Sequence, residues 1–175
     1  MAVNGKSKGS SFEREISKKL TAWASGQTEK LWYWRTPSSG AMGKNYYDIG
    51  GDIVSLVAEA EPLTKLFNIE IKHHKDVDLL DYWNKSSKIN AFWTQCCGDA
   101  TRAGRWPLLI MKVTHRNTFI GLGNSIELNI PNCINIMYQD KDNLKLYLFD
   151  DWLTTVTYRD IIDIYKGEKH GLKTN

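Results

Sequence analysis

Apolar residues recur at three- and four-residue steps through Phe12, Ile16, Leu20 and Trp23. This period predicts an amphipathic helix, which Gly26 can end. LWYWR at 31–35 reads as a strand, and TPSSGAMGKNYYDIGG at 36–51 is a Gly/Ser-rich loop too long for a tight hairpin. A buried strand is predicted over 52–58, a turn over 59–65 and a second strand over 66–72, with the two strands pairing around that turn. Ile89, Phe92, Trp93, Cys96, Cys97 and Ala100 trace an apolar helix stripe. Strands follow at 108–114 and 118–122, then a hairpin of 133–138 with 144–149, and a closing helix near 158–165. The order predicts an α/β protein with a mixed central sheet flanked by helices. It forms one domain over 1–175: a flexible basic arm at 1–9, a core at about 10–122, and a hairpin-plus-helix extension at about 123–175.

Composition narrows the class. A chain of 175 residues suits one globular domain. No apolar run approaches membrane-spanning length, and the polar, basic start lacks the apolar stretch of a secretory signal. The three cysteines, Cys96, Cys97 and Cys133, suit neither a disulfide framework nor zinc spacing. A cytoplasmic protein without a membrane partner is expected. Net charge is only +3, but Lys6, Lys8, Arg14, Lys18 and Lys19 crowd the start, and Lys72, His73, His74 and Lys75 sit together. Such runs are either a solvated face or a phosphate-binding one. Seven tryptophans suggest core or subunit anchors rather than base-stacking platforms.

The chemistry concentrates on the strand at 66–72. Alternation places Phe67, Ile69 and Ile71 on one face and Asn68, Glu70 and Lys72 on the other. Glu70 and Lys72 then point the same way, roughly 6.5–7 Å apart along the strand. A Glu-x-Lys triplet is weak by itself, since roughly 0.6 are expected by chance in such a chain. Asp52, however, opens the neighbouring predicted strand and would meet Glu70 and Lys72 at one end of the sheet. Crowded carboxylates repel, and a divalent cation relieves that. Oxygen ligands without thiolate or imidazole favour Mg²⁺, with Mn²⁺ as substitute. Glu13 is a third candidate, although Ser10-Ser-Phe-Glu13 also fits a helix capping box. Asp48 rivals Asp52; Asp52 is preferred because a strand begins directly after it.

Four motifs occur in order: Lys8-Gly-Ser-Ser-Phe-Glu-Arg-Glu-Ile16, Trp34-Arg-Thr-Pro-Ser-Ser-Gly40, Gly51-Asp-Ile-Val54 and Ile69-Glu-Ile-Lys72. Together they resemble the archaeal-type Holliday junction resolvases of the PD-(D/E)xK nuclease superfamily, relatives of which occur in phages. The likeness covers residues 6–75 and, more loosely, the chain to 115. It departs from the pattern in a longer loop before Asp52 and a longer connection between the two strands. The resemblance implies a restriction-endonuclease-like core and a Mg²⁺-dependent enzyme of DNA recombination and repair, working in a bacterial, archaeal or phage-infected cell. It makes Asp52 and Glu70 metal ligands with the Ile71 carbonyl. It makes Glu13 a helper at the metal or its water, and Lys72 the catalytic lysine. Arg35 and Ser39 would approach DNA, and Lys6, Lys8, His74 and Lys75 are further candidates for phosphate contact. Paired nicks in a four-way junction imply a homodimer, for which Tyr82, Trp83, Phe92 and Trp93 offer either a subunit seam or intramolecular core. The products implied are a 5′-phosphate and a 3′-hydroxyl, with no small-molecule cofactor.

Adjacent His73 and His74 face opposite ways on a strand and cannot chelate one ion together. Gln95 either lines a helix flank or reaches a metal water. His115 and Arg116 belong to a turn, and the Gly121-Leu-Gly123 stretch is too short a signal for a phosphate cradle.

Overall fold

The computed structural model describes residues 5–36, 50–78, 84, 87–123, 130, 133–137 and 143–171. Helix α1 (Gly5–Ser25) leads into strands β1 (Tyr33–Arg35) and β2 (Ile53–Ser55), a 3-10 turn (Ala58–Ala60) and helix α2 (Glu61–Leu66). Strand β3 (Phe67–His74), helix α3 (Lys88–Ala103), and strands β4 (Trp106–Val113) and β5 (Thr118–Leu122) follow. The chain continues with β6 (Ile134–Ile136), β7 (Leu144–Leu148), α4 (Phe149–Thr155) and α5 (Tyr158–Gly171).

Five strands form one sheet in the order β3-β4-β5-β7-β6, while β1 and β2 form a separate antiparallel pair. β3 and β4 run parallel, which requires a crossover, and α3 provides it. The remaining pairings are antiparallel. β4 sits in the interior of the sheet, so its Leu-Leu-Ile-Met run is buried on both faces. Leu108 and Ile110 join one core with Phe12, Ile16 and Leu20 of α1, Leu63 and Leu66 of α2, Phe149 and Trp152 of α4, and Ile161 of α5. Leu109 and Met111 join the other, beneath Ile89, Trp93 and Cys96 of α3. The sheet is therefore a central layer with α3 on one side and the other helices opposite.

Local chemistry explains the boundaries of α3. The Ser87 side chain accepts the Asn90 amide at its start. Gly104 ends it in the left-handed region at φ 62°, donating to Ala100 and Thr101.

Several expectations are revised. The residues at 52–58 and 66–72 do not form a hairpin: β2 pairs with β1, with Arg35 opposite Ile53. Residues 58–66 are helical because Pro62 falls in the first turn and Ala60, Leu63 and Leu66 recur on one buried side. The basic stretch at 5–9 is the start of α1 rather than an arm. Phe149 opens α4 instead of closing a strand. The segment after 122 is no appendage, since β7 inserts between β5 and β6. The Trp23 indole on α1 donates to the Val156 carbonyl at 2.7 Å, and Lys19 pairs with Asp150, tying the two ends of the chain together. Among the described residues no helix is long and apolar enough to cross a membrane.

Candidate active site

β3 lies at an edge of the five-stranded sheet, and residues 50–52 run along its free side. The Asp52 amide donates to the Ile69 carbonyl at 2.7 Å, and the Asp52 carbonyl accepts the Thr36 amide at 2.8 Å. Asp52 therefore bridges the β1–β2 hairpin and β3. Its side chain continues the contact, with Oδ2 accepting the Ile71 amide at 2.8 Å. Within a strand the N–H and C=O of one residue point to the same side, so the Ile71 carbonyl faces the Asp52 edge as well.

Two glycines permit this close approach. Gly51 has φ 81°, and a Cβ there would fall 2.6 Å from the Ile69 carbonyl oxygen. A Cβ on Gly50 would fall 2.5 Å from Asn68 Oδ1. A side chain at Gly51 would lift Asp52 from the strand, and one at Gly50 would have to displace the buried Asn68 amide.

Glu70 and Lys72 project from β3 on the α3 face, as alternation requires. Glu70 is only 5% exposed. Its Oε1 takes the Lys72 ammonium at 2.5 Å and the Gln95 amide of α3 at 2.9 Å. Lys72 also lies over the Phe92 ring, 5.7 Å from its centroid. Gln95 thus belongs to the site rather than to an idle helix flank. Only its position beside the apolar stripe of α3 hinted at this.

Burial, and then the neighbouring Glu70 charge, push the Asp52 carboxyl from 3.8 to about 7. The Ile71 amide and the Lys72 charge pull the other way, and Glu13 adds to the rise. Burial, with the Glu70 charge beside it, thus disfavours the ionised form of Asp52. That is the electrostatic condition a hard cation relieves.

The donor set fits such a cation: the Asp52 and Glu70 carboxylates and the Ile71 carbonyl, all at β3, with no thiolate or imidazole among them. Magnesium in particular binds through one or two carboxylates and keeps several waters. Among the described residues no three His, Cys, Asp or Glu side chains are gathered into a cage.

Glu13 is not a capping residue, because α1 already runs through Ser10. Its Oε2 instead takes the Arg35 guanidinium at 3.2 Å. Lys6 and Lys8 fall in the first turns of α1; their side chains, Ser39, Asp48, Tyr82 and Trp83 lie outside the described residues.

His73 and His74 take opposite faces, as expected: His73 packs on Phe12, and His74 packs on Phe92 and accepts the Asp76 amide. Lys75 is exposed beside Asp76. Trp93 is fully buried in the core under α3 and Phe92 packs against that core, so Trp93 gives no subunit seam. Burial raises the Cys96 thiol, which suits an inert core residue. His115, at φ 62°, and Arg116 lie in the β4–β5 turn.

A family model described as "Phage putative PDDEXK endonuclease" matches residues 4–163. The chain belongs to this family. The match takes in β6, β7, α4 and the start of α5 along with the motif-bearing half, in keeping with a sheet that residues 134–148 complete. A mixed five-stranded sheet flanked by helices is compatible with a PDDEXK-like fold. Comparison with curated proteins and with solved structures returns no match.

Proposed function

We propose that this PDDEXK-family protein is a Mg²⁺-dependent endonuclease that hydrolyses DNA phosphodiesters, acting as a homodimer on four-way junctions. The observation that carries the hydrolytic reading is Asp52 anchored on the Ile71 amide at the free edge of β3, within electrostatic reach of the Glu70–Lys72 pair on the same strand. Family membership supports the same reaction class. Support for the junction as substrate, and for a dimer, is the four-motif resemblance; support for a cytoplasmic setting is the cysteine usage.

Asp52, Glu70 and the Ile71 carbonyl would hold the cation. When bound, it would supply Lewis-acid chemistry, polarising the scissile phosphate and easing deprotonation of the attacking water. The chain's own residues supply the rest. The Ile71 amide fixes the Asp52 carboxylate through Oδ2. Lys72 and Gln95 grip Glu70 from two sides and set its rotamer. The Lys72 ammonium, braced by Glu70 and the Phe92 ring, is held where it can orient a water or stabilise charge on the phosphate. Arg35, Lys6, Lys8, Ser39, His74 and Lys75 would contact DNA, largely through phosphates, making binding shape-selective and salt-sensitive.

The test compares a synthetic four-way junction with a linear duplex, each with Mg²⁺ and with chelator. Paired nicks near the branch point, absent from the duplex and from chelated samples, are expected. Equal cutting of both substrates would assign a restriction-like or repair nuclease instead. Binding to both without cutting either would mark a DNA-binding module that kept the fold.

A further inference from the structure

Glu13 and Arg35 occupy each other. The resemblance sends Glu13 to the cation and Arg35 to DNA, yet the structure places Arg35 Nη1 3.2 Å from Glu13 Oε2, with side chains 27% and 18% exposed. Arg35 ends β1, and the next residue, Thr36, donates its amide to the Asp52 carbonyl and its hydroxyl to the Gly51 carbonyl. The ion pair therefore sits on the same piece of backbone that presents Asp52. The Glu13 charge is felt at Asp52, while the carboxylate itself is turned to the guanidinium. A guanidinium fork accepts phosphate oxygens as readily as carboxylate oxygens. Exchange of one anion for the other keeps the guanidinium paired, and a cation taken up by the released Glu13 carboxylate would leave neither charge uncompensated.

We propose that Arg35 is a substrate-released clamp on Glu13: a DNA phosphate that captures Arg35 frees the Glu13 carboxylate to join Asp52 and Glu70 in holding the cation. This rests on the metal-dependent reading above. It makes full assembly of the metal site conditional on bound DNA, so that free enzyme holds its cation loosely. By linkage, whatever loosens the clamp for one ligand aids the other.

Two binding measurements on the full chain test it, neither of them reading catalysis. In the first, Mn²⁺ is titrated into DNA-free protein and followed by electron paramagnetic resonance. Arg35→Gln is expected to tighten binding roughly 5- to 10-fold, within the ordinary range of coupling between sites, and Arg35→Lys to tighten it less. The gain should vanish when Arg35→Gln is made in a Glu13→Gln background. In the second, anisotropy of a labelled four-way junction is read in chelator. Glu13→Gln is expected to bind DNA several-fold more tightly, by freeing Arg35, and the double variant should lose that gain. A gain that persists undiminished in the double variants would reduce both effects to net charge and overturn the clamp, as would an Arg35→Gln protein with unchanged Mn²⁺ affinity. Absence of Mn²⁺ binding in every form, wild type included, would overturn the metal-dependent reading itself and the clamp with it.

Discussion

Replacing Asp52 with Asn should make the metal-free protein more stable at neutral pH, and the gain should grow with pH in a defined window. Burial and the Glu70 charge raise the Asp52 carboxyl from 3.8 to about 7. The folded protein therefore holds a proton that the unfolded chain has already released. Stability from this group is fully present below pH 3.8 and is lost as pH rises toward 7. A shift of about three units corresponds to about 4 kcal/mol at 1.36 kcal/mol per unit. Partial solvent access trims that to about 2–4 kcal/mol. The substituted amide side chain keeps an oxygen to accept the Ile71 amide but carries no charge, so it escapes the loss. For a domain of this size that is roughly a 5–10 °C higher Tm at pH 8. The assay is a set of thermal melts of both proteins in chelator from pH 4 to pH 8. Comparing the two at each pH cancels every titrating group except those coupled to residue 52. A Tm difference that stays flat across the window, or that shrinks as pH rises, would refute the raised Asp52 carboxyl and the burial beside Glu70 that produces it.

Other outcomes follow from individual contacts. Gly51→Ala places a side chain at φ 81° against the Ile69 backbone; it should cost at least about 1–2 kcal/mol in melts and abolish cleavage by displacing Asp52. Gln95→Ala should lower Mg²⁺-dependent cleavage about 10–100-fold with an unchanged Tm, since it removes an outer support of Glu70; undiminished cleavage would return Gln95 to the helix flank. Trp93→Ala, under α3, should lose about 3–5 kcal/mol in denaturant unfolding.

The sequence revealed most where one-dimensional periodicity translates directly into geometry. The α1 and α3 stripes, the β4–β5 pair and the 134–148 hairpin were legible because one buried face fixes every third, fourth or second residue. So was the shared face of Glu70 and Lys72, since alternation along a strand leaves no choice. The partner of β2 was not legible: apolar strands pair with any neighbour, and the helical turn at 58–66 was hidden in a segment read as a simple connection. Asp52 still reached Glu70, by a different route. A Gly-Gly approach and two hydrogen bonds to β3 replaced the expected hairpin. The Glu13–Arg35 pair and the Gln95 contact join residues 22 and 25 positions apart, on elements whose relative placement no local pattern encodes.

If Asp52, Glu70 and Lys72 act as one hydrolytic centre, neutralising Glu70 must stop the chemistry while sparing the binding. The decisive experiment follows nicking of DNA in Mg²⁺ by wild type and by Glu70→Gln, with DNA affinity read in parallel. Glu70→Gln is expected to bind DNA like wild type yet lose nicking by a factor of about 100 or more. A Glu70→Gln protein that nicks at the wild-type rate would contradict the shared centre.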